Sequence, residues 1–123
     1  MEEQTHPTFG NGKICYIVLP AKDIKASAEF YRNVFGWNIR TRSDGSTAFD
    51  DSVNEVSGTW DTGLEPIDGK SVMIYLMVDF IEVTVDLIII HGGQIVVPVG
   101  MESPETTARF TDPAGNIIGI YQQ

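Results

Sequence analysis

The feature that most constrains this chain is that much of it is written twice. Phe49-Asp50-Asp51-Ser52-Val53-Asn54-Glu55-Val56-Ser57-Gly58-Thr59-Trp60 aligns with the stretch from Phe110 to Tyr121 at a constant offset of 61. Phe falls on Phe, Asp51 on Asp112, Val56 on Ile117, Gly58 on Gly119 and Trp60 on Tyr121. Upstream, Gly36 falls on Gly92 and Ile39 on Ile95, at an offset of 56. The change of offset requires an insertion in a loop. Repeats at this scale set the architecture before any single residue does. The 123 residues suffice for one domain with a sizeable core and not for two ordinary ones.

Each half shows the same order of elements. An apolar strand opens it, Ile14 to Leu19 in the first half and Val72 to Val78 in the second. A helix follows over residues 24–35, with Asp23 as N-cap and Gly36 as its stop. Ile24, Ala28, Tyr31 and Phe35 form its apolar stripe. The second helix, about Phe80 to His91, runs against propensity because Val83, Thr84, Val85, Ile88, Ile89 and Ile90 are β-branched. The repeat and the Gly92-Gly93 stop outweigh propensity. Three strands close each half, near 37–42, 46–50 and 55–61, then near 94–99, 106–111 and 117–121. The Asp112-Pro113-Ala114-Gly115-Asn116 turn joins the last pair as a hairpin. The unit is β-α-β-β-β, twice: module one about 13–65, module two about 70–121, and a tail at 1–12, within one domain spanning 1–123.

Net charge is −9 and uneven. Residues 1–42 carry six Lys/Arg against four Asp/Glu; residues 43–123 carry two, Lys70 and Arg109, against thirteen. This argues against nucleic acid or an anionic membrane as partner and favours a cationic ligand, if it does more than keep the protein soluble. No apolar run approaches a membrane span, and the polar start lacks a signal-peptide pattern. With a single cysteine, Cys15, this fits a cytoplasmic protein.

Val18-Leu19-Pro20-Ala21-Lys22-Asp23, Phe30-Tyr31-Arg32-Asn33-Val34-Phe35-Gly36-Trp37 and Arg109-Phe110-Thr111-Asp112-Pro113-Ala114-Gly115-Asn116 resemble the vicinal oxygen chelate superfamily. That group comprises glyoxalase I, extradiol dioxygenases, methylmalonyl-CoA epimerase and the bleomycin- and fosfomycin-resistance proteins. The resemblance implies an α+β fold whose two tandem βαβββ modules form a curled mixed sheet around a cup-shaped pocket. It also implies where a metal would be held: His or Gln on the first strand of each module and Glu on the last. Counting seven residues back from the helix N-cap gives Tyr16 and Met73 for the first-strand positions. The DP-x-GN-x-x-E pattern gives Gly119 for the last strand, with Gly58 as its repeat mate. None of these four side chains suits a hard divalent cation. The expectation is a site with no metal and no cofactor.

Strand alternation then names the expected wall of the cup. Tyr16 brings Val18, Gly58 brings Trp60 and Val56, Met73 brings Tyr75 and Met77, and Gly119 brings Ile117 and Tyr121. That is an aromatic, thioether-lined surface suited to a flat or amphipathic small molecule. Cys15, Ile17, Leu19, Ile118 and Ile120 have the opposite parity and are expected under the helices. Arg109 either holds an anionic group at the pocket mouth or pairs with a nearby carboxylate. Asp61, Glu65 and Glu102 are lone carboxylates in loops, and His6 and His91 are badly placed for catalysis. The reading is a metal-free glyoxalase/bleomycin-resistance-like protein that binds a small molecule and forms a homodimer, as the resemblance implies. Two alternatives stay open: a metal-dependent lyase, isomerase or dioxygenase with displaced ligands, and a ligand-free dimerisation module. In either binding reading the wall could instead be collapsed core.

Overall fold

The computed structural model describes residues 6–102 and 105–123. The element order matches the repeat. Module one holds β1 (Tyr16–Pro20), α1 (Ile24–Phe35), β2 (Asn38–Thr41), β3 (Thr47–Asp50) and β4 (Ser57–Asp61). Module two holds β5 (Tyr75–Met77), α2 (Ile81–Ile90), β6 (Gln94–Val97), β7 (Thr106–Thr111) and β8 (Ile117–Gln122). The strands form two four-stranded sheets, ordered β1-β4-β3-β2 and β5-β8-β7-β6. In each, the first and last strands run parallel, as a crossover through a helix requires, and the others pair antiparallel. The two tandem βαβββ modules are as expected, each with its own sheet, and the two sheets do not close on one another.

The helices form for different reasons. In α1 the Asp23 side chain accepts from Ala26 N, and Gly36 ends the helix with φ 72°. Phe80 gives α2 no side-chain cap, and its β-branched run is held by packing, with Ile81, Thr84 and Ile88 buried. Tertiary contact overrides propensity here. β5 is shorter than the expected Val72 to Val78. The amide of Ile117, at the start of β8, donates to Ile67 O (2.8 Å), so the connector and not β5 occupies that end of the strand. Met73 therefore precedes the strand.

What joins the modules is their helix-covered faces. Phe30 and Phe35 of α1 pack on Phe110 of β7, with ring centroids 6.0 and 5.7 Å apart. A run of rings continues from Tyr31 to Trp37 and Phe49, each step 4.4 Å between centroids. Trp60 lies 4.9 Å from Phe49. Such pairs add roughly 0.5–1.5 kcal/mol each beyond their burial. Into this apolar layer comes the module-two turn. Fully buried Tyr31 donates its hydroxyl to Asp112 Oδ2 at 2.7 Å. Burial first, and then the Asp112 carboxylate, push the phenol pKa well up, so it stays a neutral donor. Removing that hydroxyl by Tyr31→Phe should leave the rings in place and take a donor from a buried carboxylate. Urea denaturation is expected to show a loss of about 1.5–3 kcal/mol, with the circular dichroism of the folded protein unchanged.

Candidate functional site

The faces opposite the helices follow from the pairing, because residues directly across from one another point the same way. On module two, Tyr75, Gly119 and Arg109 form one row across β5, β8 and β7. Met77, Tyr121 and Thr107 form the next. Ile118 and Ile120 are buried on the helix side, as alternation predicts. The absent side chain at position 119 has a specific use. A Cβ there would overlap the Tyr75 ring. With none, Tyr75 lies flat across β8 and reaches Arg109. The Tyr75 hydroxyl beside it, and then Glu102, raise the Arg109 pKa. Arg109 Nε is 2.9 Å from Glu102 Oε1, an ion pair without the alignment of a hydrogen bond. Arg109 is thus already engaged by a carboxylate. The same face holds a hollow of about 410 Å³ bordered by Tyr75, Met77, Glu102, Glu105, Thr107 and Tyr121.

Module one departs from its expected pattern. Tyr16 pairs with Ser57 and Val18 with Thr59, while Gly58 pairs with Ile17 and Trp60 with Leu19. Gly58 and Trp60 therefore lie on the helix side, away from Tyr16 and Val18. The cause is a loop. The turns 51–54 and 112–115 match: Asn54 N donates to Asp51 O and Gly115 N to Asp112 O, with φ of 56° at Asn54 and 87° at Gly115. The closing bonds do not match. Asp51 N donates to Val56 O, five residues on, and Asp112 N to Asn116 O, four on. Module one carries one extra residue before β4, so Phe49 faces Gly58 where Phe110 faces Ile118. A one-residue shift turns every side chain to the other face. The structural mate of Gly119 is Thr59, and Gly58 is vacant because the Phe49 ring covers it. Cys15 also departs from expectation. It precedes β1 and is exposed rather than under a helix.

The outer face of module one is accordingly polar. Asp50 accepts from Arg40 Nε (3.0 Å), Asn38 Nδ2 (3.2 Å) and Ser57 Oγ (2.6 Å). Led by Arg40, these donors pull its carboxyl down to about 2. Tyr16 and Val18 are half-exposed beside this cluster, and the Tyr16 hydroxyl accepts from Arg42. Of the expected wall, the structure brings together Tyr75, Met77, Arg109, Gly119 and Tyr121. It separates them from Tyr16 and Val18 on the other sheet, and Met73 lies ahead of β5. Glu105 and Thr107 were not among the expected wall residues. Thr107 shares strand parity with Arg109, which was the signal for it.

A metal does not fit the family's positions in this chain. Tyr16, Thr59, Met73 and Gly119 supply neither imidazole nor carboxylate, and the space above Gly119 holds a tyrosine ring. Among the described residues no three His, Cys, Asp or Glu side chains gather as a metal site. Asp61, expected in a loop, is the exposed last residue of β4 and accepts from Gly63 N, and His91 is exposed at the end of α2. A larger cavity, about 580 Å³, lies on the other side, between the modules' helix-covered faces. Tyr75 and Met77, at the sheet edge, border both.

The two glycines should respond differently to a methyl group. At Gly119 the obstacle is a half-exposed Tyr75 ring that can swing away. At Gly58 it is the Ile17 carbonyl oxygen and the buried Phe49 ring. Gly119→Ala is expected to cost about 1 kcal/mol or less, and Gly58→Ala about 3 kcal/mol or more, by urea denaturation.

Comparison with known proteins agrees with this geometry. Residues 13–120 match the model of the Glyoxalase/Bleomycin resistance protein/Dioxygenase superfamily. None of the curated proteins compared with the chain matches it. Among solved structures, hypothetical protein SA1046 from S. aureus is similar with TM-score 0.71 and 18% identity, over 94% of this chain and 96% of that one. A glyoxalase/bleomycin resistance protein/dioxygenase family enzyme from Burkholderia phytofirmans PsJN gives 0.69 and 20%, over 87% and 95%. TnmS3, an antibiotic binding protein from Streptomyces sp. CB03234, gives 0.70 and 17%, over 94% and 98%. At these identities the structural likenesses speak for the fold. The family model spans most of the chain, and the protein belongs to the Glyoxalase/Bleomycin resistance protein/Dioxygenase superfamily.

Proposed function

We propose that this protein binds a small aromatic or amphipathic molecule, without a metal, on the outer face of module two. The observation that carries the reading is the Tyr75 ring laid over Gly119, where a metal-binding relative would hold a glutamate. Tyr75, Tyr121 and Met77 offer flat and polarizable surface for a ring to lie on. Glu102 and Glu105 border the hollow and favour a ligand with positive charge. The hollow's volume falls within the range usual for small-molecule sites. An antibiotic-binding protein of the same fold gives a precedent for sequestration.

A homodimer belongs to the same reading. Tyr16 and Val18 on one sheet and Tyr75 and Met77 on the other are exposed by 42–71%. Residues 13–65 carry six Lys/Arg against eight Asp/Glu and residues 70–121 two against six, so module two is the more acidic. A second copy could lay its module-one face against this copy's module-two face and roof the hollow.

A thermal-shift screen of planar aromatic compounds tests the binding reading through mass-action linkage. At least one compound is expected to raise Tm saturably, with the shift lost in Tyr121→Ala. No shift with any compound, or a saturable shift with zinc, nickel, iron or manganese alone, would contradict it.

A further inference from the structure

The repeat closes on one side and stays open on the other. On the closed side, Tyr31 of α1 donates to Asp112, and Asn116 Nδ2 donates to Pro20 O at 2.8 Å. The second copy of each partner cannot repeat this. Asp51 stands for Asp112, but the offset that places Gly36 on Gly92 puts Leu87, which has no hydroxyl, in the place of Tyr31. Asp51 Oδ1 accepts from the amide of Glu55 at 2.7 Å, as Asp112 Oδ1 does from that of Asn116, but among the described residues no hydroxyl from module two reaches it. The Glu55 side chain turns outward to His6, Thr8 and Lys13. Those donors, led by the Thr8 amide, hold its carboxyl down at about 2. Where the mirror-image closure would be, the 580 Å³ cavity lies between the 51–56 turn and the start of α2.

Its lining is chemically specific. Trp37 and Phe49, whose faces are already covered by Tyr31, by each other and by Gly58, border it with their edges. Val53 and Thr84 come from the turn and from α2. Among the described residues the only charged side chains on it are Asp51 and Asp79, and no lysine, arginine or histidine borders it. Its volume is ordinary for a bound small molecule. Apolar Phe80 and Val83, 70% and 57% exposed, stand at its edge. Carboxylates and aromatic rings both attract a cation, and the rings also stack on a flat one.

We propose that this inter-module cavity is a second small-molecule site, taking a planar aromatic cation with its ring against the exposed Phe80 ring and its charge toward Asp51 and Asp79. The site shares the edge residues Tyr75 and Met77 with the outer hollow but lies on the other side of the sheet, and it does not rest on the reading of that face. The chain's two tryptophans report on it directly: Trp37 lines the cavity and Trp60 lies 4.9 Å from the Phe49 ring.

The test is titration of the purified full chain with proflavine, a flat cationic dye, read by tryptophan fluorescence. Saturable quenching of tryptophan by the dye bound in this cavity is expected, whether or not a further dye binds the outer hollow. Asp79→Asn, an exposed position that folding tolerates, should weaken it by about 5-fold or more. Thr84→Phe, which puts a ring into the cavity from α2, should weaken it at least as much. Tyr121→Ala touches only the outer hollow and should leave this quenching as it is. Unchanged affinity in both Asp79→Asn and Thr84→Phe would overturn the proposal. So would loss of quenching in Tyr121→Ala alone, tight binding of the anionic dye 1-anilinonaphthalene-8-sulfonate in place of proflavine, or no saturable quenching.

Discussion

Asn116 ties the two modules together. Its side chain is fully buried and every polar atom of it is used. Nδ2 donates to Pro20 O and to Asp112 Oδ2 (2.9 Å), while Oδ1 accepts from Ile67 N (2.9 Å). One residue thus connects the end of the first strand, the turn of the second hairpin and the connector between the halves. Asp112 is fixed in turn by the amides of Ala114 and Asn116 and by the Tyr31 hydroxyl. A buried polar network is stable only when each member is satisfied, and then it specifies one arrangement. Here it sets the modules with helix faces inward and leaves the outer face of each sheet free for binding.

The same residues make the molecule asymmetric. A repeat that kept both copies of the network would have two tight inter-module seams. This chain has one, because Leu87 replaces the hydroxyl donor and the first turn is a residue longer. The extra residue has two effects at a distance. It rotates β4 so that Trp60 joins the core stack and Thr59 faces outward. It also leaves Asp51 free of the second module, next to an open cavity. The outer face of module one is correspondingly polar, built around Arg40 and Asp50, and the aromatic surface is concentrated on module two.

Most of the fold was legible in the sequence because periodicity and caps are local signals. Asp23 and Gly36 gave α1 to the residue, and the repeat outweighed the β-branched run that argued against α2. The face of module two was legible too, since Tyr75, Gly119 and Tyr121 follow simple alternation from a correctly placed turn. Module one failed at a single point. Matching Asp51 with Asp112 is right, but carrying that offset past Asn54 is not, and an insertion of one residue leaves no mark in composition. The inter-module cavity had no sequence signal at all, because alternation tells which face a residue is on and not how two helix-covered faces meet.

We propose that aromatic packing stands where metal-binding relatives hold their ligands, with Tyr75 over Gly119 as its clearest sign. Elemental analysis of untagged protein, purified without chelator and then titrated with zinc, nickel, iron and manganese, tests this most directly. The account predicts less than one-tenth of an equivalent of each, about the level of adventitious contact, and no uptake that saturates. One equivalent of any of them, retained through gel filtration, would contradict it.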